Sequence, residues 1–179
     1  MLISESYKSQ NVEKHNNSKT FGTSGKAYAE HIKALCDRLK TTDILDYGCG
    51  KSTLAQSLSF PIQQYDPAIL KFSRDPHPAD LVVCTDVMEH IEPECVENVL
   101  DHLKKLTRIA LFATVCTAPA LKSLPDGRNT HLTVQPYEWW LPKFWERFRI
   151  ITFDAQDKNT FLITCINRDY TQPNMEIIK

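Results

Sequence analysis

The sequence predicts an α/β fold built on a mostly parallel sheet, and three features predict it. Ile44–Leu54, ILDYGCGKSTL, reads as a buried strand, a glycine turn and a helix start. Asp80–Thr85, DLVVCT, is an almost continuous apolar run of the kind found in a parallel strand covered on both faces. Strand-like runs also alternate with segments of helical period, the order that parallel strands require for their crossovers.

The whole chain bounds the answer further. Its 179 residues suffice for one domain with a sizeable core, and its net charge is −1 with lysines and arginines scattered. No basic block points to nucleic-acid binding as the main activity. No apolar run approaches the roughly 18 residues of a membrane span, and MLISESYKSQ lacks the apolar centre of a secretory signal. Cys36, Cys49, Cys84, Cys95, Cys116 and Cys165 stand singly, without C-x-x-C spacing. The expectation is a cytoplasmic, reduced protein with no metal site of the zinc type. Residues 1–20 carry little to bury and are expected to form a flexible arm. A single domain is expected over 21–168, with a tail at 169–179.

The glycine loop narrows the ligand. Gly48 and Gly50 let the backbone turn tightly and approach another group, at a strand's carboxyl end and a helix's N-terminus. A phosphate loop would need a first glycine at position 45, which is Leu45, and a dinucleotide loop a third glycine at position 53, which is Thr53. The remaining class is S-adenosyl-L-methionine. Asp46-Tyr47-Gly48-Cys49-Gly50 resembles the first motif of class I S-adenosylmethionine-dependent methyltransferases, D/E-x-G-x-G-x-G, with Ser52 in place of the last glycine. The resemblance implies a Rossmann-like sheet of seven strands, ordered 3-2-1-4-5-7-6 with strand 7 antiparallel. It implies a cofactor held by Asp46, Gly48, Cys49 and Gly50.

The second strand, Pro61–Asp66, ends in an acid roughly twenty residues beyond the loop, where a carboxylate can accept both ribose hydroxyls. Asp66 and Pro67 are therefore expected at the cofactor, the bland alternative being an Asp-Pro surface turn. Few residues separate Asp66 from Asp80, so the region of the third strand is contracted. After DLVVCT, Asp86–Ile91, DVMEHI, is similar to the post-strand motif of small-molecule methyltransferases, quinone-type O-methyltransferases among them. That likeness implies that Thr85 and Asp86 border the cofactor's methionine part and the substrate. The Glu89-His90 pair reads first as a structural hydrogen-bonded pair, with Asp86 and His90 as second candidates for catalysis.

Glu92-Pro93-Glu94 starts a helix whose buried stripe is Val96, Val99, Leu100, Leu103 and Leu106. A strand over Ile109–Val115 follows. The stretch Cys116–Trp140 is too long for an ordinary connection, and long loops at the ligand edge usually serve function. Within it Asp126, Arg128 and Asn129 are expected to bind the acceptor. His131 is expected to act as general base, since His titrates near neutrality. The bland alternative is that His131 and Asp126 merely pin the loop. A helix carrying Trp139, Trp140, Phe144 and Phe148 and a hairpin around AQDKN complete the domain.

The combination of FGTSG, DYGCGKST, DVMEHIEPE, LPDGRNTHL and EWW is similar to compact, uncharacterised methyltransferases of bacterial and phage genomes. The likeness implies the fold and the cofactor, hence methyl transfer by direct displacement, and supplies no substrate; with the nucleic-acid methylation motifs missing, a small-molecule acceptor such as a metabolite, sugar or modified nucleotide is expected. TDVM stands where amino methylation of nucleic acid would place N/D/S-P-P-Y/F, and no Pro-Cys nucleophile is present for cytosine C5. The alternative function is a non-catalytic binder of the same cofactor, using the 116–140 loop and the aromatic helix to hold a protein partner.

Overall fold

The computed structural model describes residues 1–155 and 159–171. Its sheet consists of β1 (Ile44–Tyr47), β2 (Gln63–Tyr65), β3 (Ala79–Thr85), β4 (Thr107–Cys116), β5 (Phe148–Ala155) and β6 (Thr160–Asn167). The spatial order is β2-β1-β3-β4-β6-β5. Removing the third strand from the expected seven-strand order leaves this six-strand sheet, and the missing strand is the contracted one. Between β2 and β3 the chain makes a 3-10 turn at Leu70–Phe72, which Asp66 N–H closes on Phe72 O at 3.0 Å. β1 through β4 pair in parallel, whereas β6 runs antiparallel to both β4 and β5. The expected turn AQDKN lies partly, and the tail from 172 onward wholly, outside the described residues.

Strand residues alternate between two cores, as the pleat requires. Val82 and Leu111 point to one side, with Leu100 and Leu103 of α4 (Val96–Leu106) and Trp140 and Phe144 of α5 (Tyr137–Arg147). Leu81, Val83 and Phe112 point to the other, against Ile32 and Leu35 of α2 (Ala29–Leu39) and Leu54 of α3 (Thr53–Ser57). The expected stripe of α4 is the buried one. The aromatic face of α5 is spent on the sheet, since Trp140, Phe144 and the following Phe148 are fully buried.

The first twenty residues differ from the expected arm. Glu5–Asn17 form a helix, α1. Ser4 caps it, its Oγ accepting from Tyr7 N at 3.1 Å, and Glu5 and the Lys14-His15 pair place charge favourably at its two ends. The buried Glu92 carboxylate holds the cap, accepting from Ser4 N at 2.8 Å and from Ser4 Oγ at 2.6 Å. At the far end Lys14 Nζ donates to Ser123 O at 2.5 Å. The order of this segment comes from these tertiary anchors, not from apolar patterning.

The FGTSG turn then packs onto the glycine loop. Gly22 O accepts from Lys51 N at 2.7 Å. A Cβ on Gly50, whose φ is +49°, would lie 2.6 Å from Gly22 O, and one on Gly48, at φ +77°, would lie 2.3 Å from Val87 Cγ2. Both glycines are thus demanded by neighbouring chain as well as by backbone conformation. Ser52 shares the left-handed conformation at φ +62°, without a side-chain cap bond, and α3 starts at Thr53. A non-glycine residue there carries roughly 1–2 kcal/mol of conformational strain. Ser52→Gly should therefore raise the urea midpoint by the equivalent of about 1 kcal/mol, whereas Gly50→Ala should lower it. A destabilising Ser52→Gly would contradict the strain assigned to this turn.

Candidate active site

The carboxyl ends of the parallel strands share one edge of the sheet, with Tyr47 opposite Tyr65 and Thr85 opposite Thr114. Over that edge lies a cavity of about 620 Å³, roofed by α1 through Tyr7, Asn11 and His15. These three roof residues stand at successive fourth positions, so they form one face of the helix. The volume falls in the range of about 300–1,000 Å³ usual for small-molecule sites.

One half of the cavity is built on the glycine loop. Gly48, Cys49, Gly50, Asp46, Asp66 and Pro67 all line it. Asp46, next to last in β1, is 3% exposed, and its carboxyl is pushed up to about 7, by burial first and by the neighbouring Asp66 second. Asp66 follows β2, 7% exposed, and its carboxylate accepts from Gly50 N at 3.1 Å and from Ala68 N at 3.0 Å. Burial raises its pKa, and His15, with Nε2 3.9 Å away, and the two N–H donors oppose that rise. The carboxylate is therefore no surface turn residue. It fastens the loop and still has lone pairs free for a ligand. Cys49 is buried with its thiol pushed far above the ordinary range, which makes it a packing residue.

The other half is formed by the segment after β3 and the long loop after β4. Thr85 and Asp86 line it. Asp86 adopts φ +54°; its N–H donates to Thr114 Oγ1 at 3.0 Å, and that hydroxyl donates back to Asp86 Oδ1 at 2.8 Å. His90 Nδ1 meets Thr130 O at 2.7 Å, and His131 Nδ1 meets Ala118 O at 2.7 Å. A carbonyl only accepts, so both rings carry their proton on Nδ1 in the neutral form and leave Nε2 as the lone-pair nitrogen. Burial, followed by the charge of His131, lowers the pKa of His90 to about 4. The two rings meet edge to face, 4.7 Å between centroids. Phe21, from the FGTSG turn, touches both His15 and His90 and so lies between the halves.

The expected acceptor-binding trio is placed elsewhere. Asp126 and Arg128 pair with each other, Nε to Oδ2 at 2.8 Å, on the exposed side of the loop, where Gln10 also donates to Asp126 at 2.9 Å. Asn129 clamps Ala120 through both its amide groups and accepts from His131 N at 2.8 Å. None of the three is in the cavity wall. Their local partners satisfy them, so they shape and pin the loop that presents His131. Sequence reasoning set Glu89 aside as structural, yet it lines the cavity, 1% exposed. Its Oε1 accepts from Cys116 N at 3.1 Å, and its Oε2 has no partner among the described residues. Burial, reinforced by Asp86, pushes its carboxyl up to about 8. Tyr7, Asn11 and His15 were also missed, because a polar helix face gives no apolar signal.

No family model matches the chain, and no curated protein matches it in sequence. Solved structures do. The N-methyltransferase NodS from Bradyrhizobium japonicum WM9, in complex with S-adenosyl-L-homocysteine, aligns with TM-score 0.60 at 13% identity, covering 93% of this chain and 100% of that one. The 1,6-didemethyltoxoflavin-N1-methyltransferase of Burkholderia thailandensis aligns at 0.60 and 13%, covering 90% and 87%. The magnesium protoporphyrin IX methyltransferase of Synechocystis PCC 6803, with S-adenosylmethionine bound, aligns at 0.58 and 14%, covering 90% and 97%. Together with the sheet order, these likenesses establish that the chain has the Rossmann-like fold of S-adenosylmethionine-dependent methyltransferases.

Proposed function

We propose that this protein transfers the methyl group of S-adenosylmethionine to a small-molecule acceptor such as a metabolite, sugar or modified nucleotide. The observation that carries the reading is the pair of buried acids, Asp46 and Asp66, flanking a glycine loop inside a roofed cavity. Each carboxyl is raised by burial, and Asp66 raises Asp46 further, so the pair favours a ligand that brings positive charge and hydroxyl donors. S-adenosylmethionine brings both, and the residues present fit it. Asp66 and Pro67 would hold the ribose end, Gly48–Gly50 would give close backbone approach, and Asp46, Thr85 and Asp86 would face the charged methionine end. When bound, the cofactor supplies a methyl group already activated on a sulfonium.

This chain's own residues then have three tasks. The roof of α1 and Phe21 covers part of the cavity and shields the reacting groups there. The Asp86–Thr114 pair fixes the strand-end backbone that borders the reacting region. His90 and His131 line the acceptor half with Nδ1 tied to carbonyls, so their lone-pair Nε2 atoms are the ones able to receive a hydrogen bond or a proton from an acceptor. A covered cavity suits a small acceptor better than a polymer. In the partner-binding alternative, α5 keeps Trp140 and Phe144 in the core and offers only Tyr137 and Trp145 at the surface, beside the 116–140 loop.

Calorimetry with S-adenosylhomocysteine, followed by a methyl-transfer screen over small acceptors, tests the reading. Saturable binding with turnover supports it, and binding with no turnover on any acceptor favours the non-catalytic binder. Asp66→Asn should weaken binding at least tenfold, as expected from losing charge-assisted hydrogen bonds of about 1.5–3 kcal/mol. Unchanged affinity would remove Asp66 from the ribose site.

The pH dependence has a definite sign. With the Asp46 carboxyl at about 7 in the free protein, the acid is increasingly protonated below that pH, and a cationic ligand group loses its counter-charge. Affinity should therefore rise with pH between 5.5 and 8, by up to about tenfold per unit on the acid side. Asp46→Asn should flatten that rise, and a slope unaltered by the substitution would assign it to another group.

A further inference from the structure

We propose that Glu89, His90 and His131 form a divalent-metal site in the acceptor half of the cavity, which binds an oxygen of the acceptor. The proposal rests on the methyltransferase reading for its chemistry, but not for the site itself. One potential ligand atom from each residue lies within 4.8 Å of the other two. Metal bonds of about 2.0–2.2 Å to His nitrogen and carboxylate oxygen need donors no more than about 4.2 Å apart. A bound ion would have to draw the three side chains closer together.

Three independent features point the same way. Both imidazoles are oriented from behind by carbonyls, Thr130 O for His90 and Ala118 O for His131, the arrangement by which metal-binding histidines are usually fixed. Glu89 is buried with Oε1 tied to Cys116 N and Oε2 unpartnered, and such an orphaned buried oxygen calls for an explanation. All three residues line the same cavity as the glycine loop, on the far side of Phe21.

The donor set selects the ion class. Two imidazole nitrogens and one carboxylate suit a first-row divalent transition metal better than magnesium or calcium, and three protein ligands leave positions open. An acceptor hydroxyl on an open position would have its pKa lowered. Its proton would pass to water. The oxygen would form its bond to the methyl carbon as the carbon–sulfur bond breaks, with sulfur keeping the electron pair. The site thus points to an oxygen acceptor within the small-molecule class, and His131 becomes a ligand instead of the base.

Chelator-stripped protein titrated with Co²⁺ alone, followed by calorimetry and visible d–d absorption, tests this without any turnover. The expected result is one ion per chain with nitrogen–oxygen-type absorption and no thiolate band. Glu89→Gln and His131→Asn should each weaken binding at least tenfold, with S-adenosylhomocysteine affinity within about threefold of the parent as proof of folding. If one variant fails that folding check, the other decides. Absence of stoichiometric Co²⁺ binding, a thiolate spectrum, or variants that bind Co²⁺ like the parent would overturn the site. Co²⁺ binding by a protein that does not bind S-adenosylhomocysteine would leave the site standing and refute the cofactor reading instead. Cofactor binding without Co²⁺ binding would do the reverse.

Discussion

The contact between Gly22 and Gly50 is the constraint on which the rest of the site depends. Two backbones meet there with no side chain between them, and Gly22 O takes the N–H of Lys51. That approach brings the FGTSG turn against the glycine loop and carries Phe21 to the centre of the cavity. It also sets where α1 can lie, because the helix runs directly into the turn. A Cβ on Gly22 would meet His15 at 2.8 Å, so the same glycine admits the roof residue that faces Asp66. The loop of a nucleotide-type fold and the cover above it are therefore one packed unit.

From that unit the cavity divides by charge. Around Asp66 and Asp46 the chain has buried negative charge, held by backbone N–H groups and relieved in part by His15. Around Glu89 it has a carboxylate with one satisfied oxygen beside two imidazoles whose lone pairs are left open. Leaving such groups buried costs stability, since each orphaned polar atom forfeits about 1–3 kcal/mol of solvation. Concentrating them in one cavity is sensible only if ligands complete them.

Much of this was legible in the sequence. The sheet could be read because β3 and β4 are apolar on both faces and α4 carries a clean stripe. The glycine loop and Asp66 could be read because their spacing reflects backbone requirements that few residues meet. The roof was not legible: α1 has no amphipathic pattern, and the groups that anchor it, Glu92 and Ser123, are far away in sequence. The long loop does reach the cavity, through Pro119, Ala120, Leu121, Lys122, Thr130 and His131, but its most polar residues satisfy one another. Arg128 was the natural choice for an acceptor contact until Asp126, two residues away, was seen to occupy it. Glu89 failed for a related reason, since only the fold shows that Cys116 N reaches one of its oxygens and nothing reaches the other.

The central claim is that one roofed cavity, resting on the glycine loop, receives S-adenosylmethionine. Hydrogen–deuterium exchange with and without S-adenosylhomocysteine measures it most directly, since α1, the Gly22 turn, the Gly48–Gly50 loop and the segment after Asp66 should respond as one body. The account predicts slower exchange in all four segments on binding, with α5 and the β5–β6 pair unchanged. Protection confined to α5 or the sheet edge, with α1 and the glycine loop unaffected, would contradict it.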